Sequence, residues 1–328
     1  QAILCSGTCQ APRNAPCPFV EPRLSSREPC RCSMAPAAPT AAPREEEFGC
    51  PLWDADGEEV ELDGAVFGIC DARASVVPVA LRGGLEPIVV RQRTGEEDLD
   101  TARFVWRSAA VLCGLLASGI LEPSTQAKPR DVPPLRVVEL GAGTGVCSAA
   151  LARILPGGCS VWATDLAPAL PLIEDTLRRN GLEREVGVAA LDWSDVGAPP
   201  AQGQAWEHLY RAQLVIGADL SYSDTLVHLL FAVLRRACGA GAAALLAHQH
   251  RGGRDDLLPH LRDFAAAGFD WVELPPWAQV GDAEEDISVY LLVRPNLEVL
   301  GTGGRLSRLG EMAAHAAESR SPCGCQPK

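Results

Sequence analysis

The chain has 328 residues, 47% of them hydrophobic, so it can bury a sizeable core and form one large domain or two small ones. Its net charge of −13 argues against nucleic acid as the main partner, because binding phosphates requires a basic face. The same charge suits a basic or lysine-bearing protein partner, although an ordinary acidic surface explains it equally well. No apolar run approaches the ~20 residues that a membrane span requires, so no membrane partner is expected.

The two ends of the chain differ from its middle in composition. Residues 1–47 are rich in Pro, Ala, Arg, Ser and Cys without a sustained hydrophobic period, which predicts a low-complexity, disordered head. A transit peptide and translation from upstream of Met34 are the alternatives, although Glu21 and Glu28 are unusual in a transit peptide. Residues 296–328 are rich in Gly, Arg, Ser and Ala, which predicts a flexible tail.

The 13 cysteines form no metal-binding pattern. Seven lie in the two ends, and the other six are scattered singly among apolar residues, as small buried hydrophobic side chains often are. No pair of C-x-x-C units is present, so neither zinc nor another metal is expected. The odd count and the lack of a secretory signal favour reduced thiols inside a cell. A cytoplasmic location is therefore expected, with a nuclear or organellar one left open.

Small strands are predicted ahead of a long helix. Residues 58–92 alternate short apolar runs with Gly, Asp and Pro, which indicates antiparallel strands and an N-terminal β extension over 48–104. After a polar link, FVWRSAAVLCGLLASG has apolar residues at helical spacing, and Gly119 is placed to end that helix.

From residue 135 onwards, strands and helices alternate. The predicted elements are strand 135–140, helix 144–156, strand 161–165, helix 169–180, strand 186–193, strand 212–219, helix 223–238, strand 241–249, helix 254–267, strand 270–274 and strand 287–294. Such alternation builds a parallel sheet with helices on both faces. The last two strands have no helix between them and should pair antiparallel. The sequence therefore predicts an α/β domain over 105–295 with a Rossmann-like, seven-stranded, mostly parallel sheet whose last strand is antiparallel.

The turn after the first strand of this series carries the strongest chemical signal. Gly141, Gly143 and Gly145 are spaced G-x-G-x-G. Val146 stands where the dinucleotide-binding fingerprint G-x-G-x-x-G has its third glycine. A ligand of an open parallel sheet lies beyond the carboxyl ends of the strands, where helix N-terminal amides supply about half a positive charge. Glu139, just before the turn, is awkward for a pyrophosphate and suits a cationic ammonium group.

S-adenosylmethionine (SAM) has an ammonium, a carboxylate that can face the helix amides, and no phosphate. The turn is therefore predicted to hold the methionine half of SAM, with a dinucleotide or a purely structural turn as the alternatives. Asp165 ends the second strand, where it can accept hydrogen bonds from both ribose hydroxyls or, less well placed, cap the next helix. Asp192 and Trp193 end the third strand, where they can meet adenine with an acceptor and an aromatic face. Such a pair taken alone more often serves packing.

The stretches VVELGAGTG, ATD, LDW and VIGADLSY, in this order and spacing, resemble the seven-β-strand methyltransferases. Together with IVVRQRTG and FVWRSAAVL, they resemble more narrowly the methyltransferase-like 21 group of protein-lysine methyltransferases, over about residues 86–294. This resemblance implies SAM-dependent transfer of methyl groups to a lysine amine of a protein substrate. The SAM contacts that it implies are Trp106, Gly141, Ala142, Gly143, Asp165, Trp193 and Ala218. Arg107 departs from the group's usual residue, and relatives with the same layout modify arginine or histidine instead.

Asp219 and Tyr222 match the group's D-x-x-Y motif, which the resemblance places beside the site of methyl transfer. A lysine ammonium must lose its proton before its nitrogen can attack, and burial beside a cationic sulfonium lowers its pKa, so no strong base is required. We expect Asp219 to orient the amine and the ring and hydroxyl of Tyr222 to shape the pocket. The alternative role for Asp219 is to cap helix 223–238, which Ser221 or Ser223 can do as well.

Other features carry weaker signals. His248 and His250 form an H-x-H after the fifth strand, where polar surface is a commoner role than metal binding. An acidic loop at 281–286 either grips a basic partner or is simply solvated. The competing functions are a methyltransferase for a small molecule or a nucleic acid, and a non-catalytic binding module. A nucleic-acid base is disfavoured because ADLSY replaces an N-P-P-Y-type motif. A monomer is expected.

Overall fold

A computed structural model of the chain describes residues 52–53, 59–60, 69–71, 73–81, 83–93, 101–121, 133–197, 203–251, 257–274, 287–295 and 305–319. The predictions for the head 1–47 and for the acidic loop 281–286 lie outside these residues.

Two short antiparallel pairs precede the main sheet. β1 (Leu52–Trp53) pairs with β2 (Glu59–Val60), and β3 (Val76–Val79) pairs with β4 (Ile88–Arg91). In β3, Val77 and Val79 are buried while their neighbours are exposed, as in a ribbon with one covered face. The antiparallel strands predicted for this part of the chain are confirmed.

The first helix connects this region to the main sheet. α1 (Arg107–Leu115) continues into a π-helical turn, Leu116–Ile120, in which Gly119 has a φ of 82°. Glycine adopts this left-handed backbone at little cost, so it ends the helix as predicted.

The main sheet contains seven strands, which in chain order are β5 (Leu135–Glu139), β6 (Cys159–Asp165), β7 (Val186–Ala190), β8 (Leu214–Ala218), β9 (Ala243–Gln249), β10 (Asp270–Glu273) and β11 (Ile287–Val293). Their order across the sheet is β10–β11–β9–β8–β5–β6–β7. The pairs from β9 to β7 are parallel, and β11 is antiparallel to both β9 and β10. The predicted Rossmann-like sheet and the antiparallel direction of its last strand are confirmed.

Helices cover both faces of this sheet. The remaining helices are α2 (Val146–Ile154), α3 (Leu170–Arg179), α4 (Gln204–Tyr210), α5 (Asp224–Gly239), α6 (Leu258–Ala266) and α7 (Ser307–Ser319). One hydrophobic cluster contains buried residues of α1, α2 and α3, and the other contains those of α4, α5 and α6. Successive strand residues point to opposite faces, so Val137 joins the first cluster and Val138 the second.

The expectation of a flexible tail at 296–328 is wrong for residues 305–319, the part of it beyond residue 295 that the structure describes. α7 lies within this segment, and Leu306 and Leu309 are buried in the same cluster as α1. Arg308 Nη1 donates a hydrogen bond to the carbonyl of Gly119 at 3.1 Å. The three-residue spacing of the two leucines was the sequence signal for this helix, and the small and charged composition concealed it.

Two other elements differ from the sequence predictions. α4 was not predicted because its seven residues are too few to display a helical period, yet Trp206 and Leu209 anchor it in the core. β7 ends at Ala190, three residues before the predicted end, and a short 3-10 helix, Trp193–Gly197, follows.

The strand order reverses between β5 and β8. The chain runs from β5 through β6 to β7 at one edge, then returns to place β8 on the other side of β5. The connections beyond the carboxyl ends of β5 and β8 therefore diverge and leave a crevice for a ligand. Within the described residues, no helix has the length and apolar character needed to cross a membrane.

Candidate functional site

A cavity of about 1110 Å³, open to solvent on one side, lies beyond the carboxyl ends of β5, β6, β7 and β8. The predicted site residues that line it are Trp106, Glu139, Gly141, Ala142, Gly143, Asp165, Asp192, Trp193, Ala218, Asp219 and Tyr222. The fold thus brings together all but one of the residues that sequence reasoning had singled out.

The glycine turn lines the cavity, and two of its positions favour glycine. Gly141 and Gly143 have left-handed φ values of 56° and 53°. A Cβ at Gly141 would lie 2.6 Å from Leu220 Cδ2, and one at Gly143 would lie 3.3 Å from the carbonyl oxygen of Ala102. The left-handed backbone therefore favours glycine at both positions, and at Gly143 the neighbouring backbone leaves little room for a side chain.

Gly145 is the predicted site residue that does not line the cavity. It precedes α2 with a φ of 76°, and a Cβ there would lie 2.8 Å from Ile173 Cγ2 in α3. The structure gives this glycine a packing role between the two helices instead of the expected ligand contact.

Glu139 lines the cavity, and one of its carboxylate oxygens is already hydrogen-bonded within the protein. One oxygen, Oε2, accepts hydrogen bonds from the backbone N–H and the hydroxyl of Ser148 near the start of α2. The side chain is almost fully buried, and this burial raises its pKa from the ordinary 4.5 to about 7, against the lowering effect of the Ser148 hydrogen bonds. The negative charge of Asp165 adds a smaller raising effect. Glu139 is therefore a carboxyl group that titrates near neutral pH.

Asp165 connects the end of β6 to the glycine turn. Its Oδ2 accepts a hydrogen bond from the N–H of Gly143 at 2.7 Å, and its Oδ1 accepts one from the N–H of Leu166 at 2.7 Å. The bond to Leu166 is local, and neither the 3-10 helix Ala167–Ala169 nor α3 has a side-chain cap, so Asp165 does not cap a helix. A carboxylate has about four acceptor sites, which leaves acceptor capacity for the hydroxyls of a ligand.

Asp192 and Trp193 form one wall of the cavity. The ring of Trp193 is half-buried, and its nearest atom would lie 3.5 Å from a Cβ at Gly141. Asp192 is exposed, and its Oδ1 accepts a hydrogen bond from the N–H of Ser194 at 2.9 Å. The wall therefore offers an aromatic face beside a carboxylate.

Asp219 has an unusual backbone. Among the described residues it is the one non-glycine residue with a positive φ, 56°, and its N–H donates to the carbonyl of Ala247 at 2.8 Å. Its carboxylate is 2% exposed and forms a two-pronged ion pair with Arg251, in which Nη1 lies 2.9 Å from Oδ1 and Nη2 contacts Oδ2. α5 begins after Ser223, so Asp219 does not cap that helix. A left-handed aspartate costs about 1 kcal/mol, a strain that is typical of functional positions.

Arg251 is a residue that sequence reasoning missed. It lies two residues beyond β9, the strand that pairs with β8. Its guanidinium carbon is 5.4 Å from the centre of the Trp106 ring. The guanidinium thus joins Asp219 to Trp106, two predicted site residues. The sequence signal for Arg251 was its position just after β9. This strand pairs with β8, which is the strand that Asp219 follows.

Tyr222 stands at the mouth of the cavity. It is 49% exposed, and its hydroxyl accepts a hydrogen bond from Thr101 Oγ1 at 3.3 Å. Behind it, His248 Nδ1 lies 2.7 Å from Ser221 Oγ, and His248 is buried, which corrects the expectation of a surface position. No cluster of three or more metal-binding side chains occurs in the described part of the chain.

The charges around the cavity restrict its ligand. Four acidic residues, Glu139, Asp165, Asp192 and Asp219, line it, and among its described lining residues there is no lysine, arginine or histidine. A pyrophosphate would find no cationic side chain among these residues, whereas the ammonium and sulfonium of a ligand would find carboxylates. These residues fit SAM better than a dinucleotide. Together, the fold and this cavity define a Rossmann-like, SAM-dependent methyltransferase.

Comparison with known proteins narrows this class. Residues 86–258, more than half of the chain, match the model of a family described as lysine methyltransferase. The chain is 29% identical to Protein N-lysine methyltransferase METTL21A of Danio rerio over 202 residues, which cover 60% of this chain and 79% of that protein. It is 33% identical to EEF1A lysine methyltransferase 3 of Mus musculus over 159 residues, which cover 47% of this chain and 58% of that protein.

The matching protein of Xenopus tropicalis, also named EEF1A lysine methyltransferase 3, is 28% identical over 155 residues, which cover 47% of this chain and 60% of that protein. The chain belongs to the lysine methyltransferase family. This confirms the resemblance predicted from the sequence, and with it a methyltransferase activity and SAM as the cofactor.

Proposed function

We propose that this protein is a SAM-dependent N-methyltransferase that acts on the side-chain amine of a lysine in a protein substrate. One observation carries the proposal: in a member of the lysine methyltransferase family, Asp219 and Tyr222 line the same cavity as the glycine turn. Two curated relatives are named for EEF1A, so this elongation factor is the first substrate to test. The net charge of −13 favours a basic segment around the target lysine.

Different residues of the cavity bind the methionine, ribose and adenine parts of SAM. The turn Gly141–Gly143 and Glu139 hold the methionine half, and Asp165 accepts the ribose hydroxyls, with support from its bond to Gly143. Asp192 and Trp193 take the adenine. When bound, SAM supplies an electrophilic methyl group on a positively charged sulfur.

The remaining cofactor contacts are at the entrance to the reaction site. Trp106 and Ala218 line the cavity on the side of Asp219, and Ala142 lies in the turn. Trp106 is held by a hydrogen bond from its Nε1–H to the carbonyl of Thr101 at 3.0 Å. Residues 105–295 are accordingly the methyltransferase domain in this proposal, and 48–104 its N-terminal extension.

Asp219 and Tyr222 position the acceptor. A free lysine has only about one neutral amine in 2,500 at pH 7, which costs about 4–5 kcal/mol. Burial beside a cation lowers the amine's pKa, and holding nitrogen and methyl in contact contributes about 7–11 kcal/mol. Asp219 accepts a hydrogen bond from the amine, while Tyr222 shapes the mouth and contacts the lysine through its π face.

Transfer of tritium from labelled SAM tests this function. The acceptors are purified eukaryotic elongation factor 1A and a heat-treated cytosolic extract, and the product is identified after complete hydrolysis. Tritiated methyllysine is the expected result. Label found only as methylarginine, methylhistidine or a small molecule would contradict the proposed acceptor. SAM binding without transfer to either preparation would favour a non-catalytic module.

Sedimentation of the purified chain tests the expected monomer, and fractionation of cells tests the expected cytoplasmic location.

A further inference from the structure

The ion pair between Asp219 and Arg251 lies at the place where the proposed reaction requires a neutral amine. An unpaired carboxylate would oppose that requirement, because an opposite charge within about 4–6 Å stabilises the charged form of a titrating group. Lysine beside a lone Asp219 would therefore keep its proton and could not attack a methyl group. A buried carboxylate that is to orient this amine needs its own charge balanced.

We propose that Arg251 neutralises Asp219, so that the carboxylate orients the substrate amine without holding its proton. Arg251 acts through Asp219 and is a positioning residue, a role that rests on the proposed lysine methylation. Asp219 lines the cavity and Arg251 does not, so the guanidinium acts on the substrate amine through the carboxylate.

The geometry of the pair suits this role. Each carboxylate oxygen of Asp219 receives one guanidinium nitrogen, and an ionised carboxylate has about four acceptor sites, so acceptor capacity remains for an amine. The face of Trp106 lies 5.4 Å from the guanidinium carbon and holds it by a cation–π contact. The two-pronged contact and the aromatic face together fix the cation in one orientation.

Other charged and titratable side chains line the cavity or belong to the elements that carry its lining residues. They are Glu139 at the end of β5, Asp165 at the end of β6, Asp192 beyond β7, Tyr222 after β8, His248 on β9 behind Ser221, and Arg103 and Arg107 on either side of Trp106. Those that line the cavity are acidic or phenolic, so they do not replace the cation of Arg251.

The substitution Arg251→Gln tests the inference through the pH profile of methyl transfer. The rate of the unaltered enzyme rises with pH as the substrate amine loses its proton. Without Arg251 the amine's pKa is higher by about 1–3, so the rising limb moves to higher pH. At about pH 7 the rate then falls roughly tenfold for each pH unit of displacement, and it recovers at alkaline pH. Arg251→Lys keeps a cation and should leave the limb within about half a pH unit.

The probe is the heat-treated cytosolic extract with tritiated SAM, read as methyllysine, and SAM affinity measured by calorimetry shows that each variant is folded. A second comparison also removes the carboxylate charge: the double substitution Asp219→Asn with Arg251→Gln removes both charges of the pair. With neither charge of the pair present, its limb should return to within about half a pH unit of that of the unaltered enzyme, at a reduced rate. This comparison remains informative if Arg251→Gln alone does not fold.

The outcomes separate the inference from the function on which it rests. No methyllysine from the unaltered enzyme would overturn the proposed function itself. Methylation by the unaltered enzyme, with an Arg251→Gln profile that coincides with it, would overturn the role of Arg251 alone. Faster transfer by Arg251→Gln at every pH would also overturn that role, because it would show that Arg251 obstructs the substrate.

Discussion

Glu139 provides a test of how burial acts at the candidate site. Its pKa of about 7 means that the folded protein binds the carboxyl proton more tightly than the unfolded chain does. As the pH rises above 4.5, the unfolded chain loses this proton first, so the stability of the folded state falls until the pH reaches about 7. Glu139→Gln removes the titration and keeps an oxygen that can accept the N–H of Ser148.

The size of the effect follows from the two pKa values. A difference between 4.5 and about 7 corresponds to about 3 kcal/mol, most of which falls between pH 5 and pH 8. The assay is urea unfolding without SAM at several pH values in that range. The Glu139→Gln variant should gain stability relative to the unaltered protein by this amount as the pH is raised.

Glu174→Gln in α3 is the matched control. Glu174 is exposed, so this substitution removes one negative charge from a side chain that water surrounds before and after unfolding. Subtracting its effect leaves the contribution of burial. If the Glu139→Gln curve ran parallel to the unaltered protein across this range, the Ser148 hydrogen bonds would offset the burial of the carboxylate, and the reasoning would be refuted.

Three further predictions concern the turn and the two aspartates. Gly145→Ala should destabilise the protein by about 2–4 kcal/mol in urea unfolding, because the added Cβ would overlap Ile173. The control Gly181→Ala has open space around it and should cost only about 1 kcal/mol. Equal losses in the two variants would exclude the packing role of Gly145. Asp165→Asn should weaken SAM binding about 10–100-fold in calorimetry, and an unchanged affinity would remove it from the ribose site. Asp219→Ala should slow methyl transfer at least about 100-fold with SAM affinity within about threefold, and retained turnover would remove it from its role.

The alternating strands, the glycine turn and the acids at the strand ends could be predicted because they depend on short stretches of chain. A strand followed by Gly141 and Gly143 has few ways to turn, since these φ values suit glycine and little else. The carboxyl ends of parallel strands meet at one edge of a sheet, so the alternation placed Asp165 and Asp219 at the same edge, where both line the cavity.

The partners of these side chains were decided by tertiary structure. Glu139 turns to Ser148 nine residues later, and Asp219 pairs with Arg251 across two neighbouring strands. Such pairings depend on how strands β8 and β9 are aligned and on which atoms water cannot reach, and neither is written in local periodicity.

The sequence by itself thus determined the order of the main-sheet strands, the place of the cavity and the acidic character of its lining. Only the folded chain decided the environment of each carboxyl group: buried in Glu139, held by backbone amides in Asp165 and balanced by a cation in Asp219. The physical reason is range. Backbone preferences act between neighbours in the chain, whereas burial and charge act between whichever groups the packed helices and strands bring into contact.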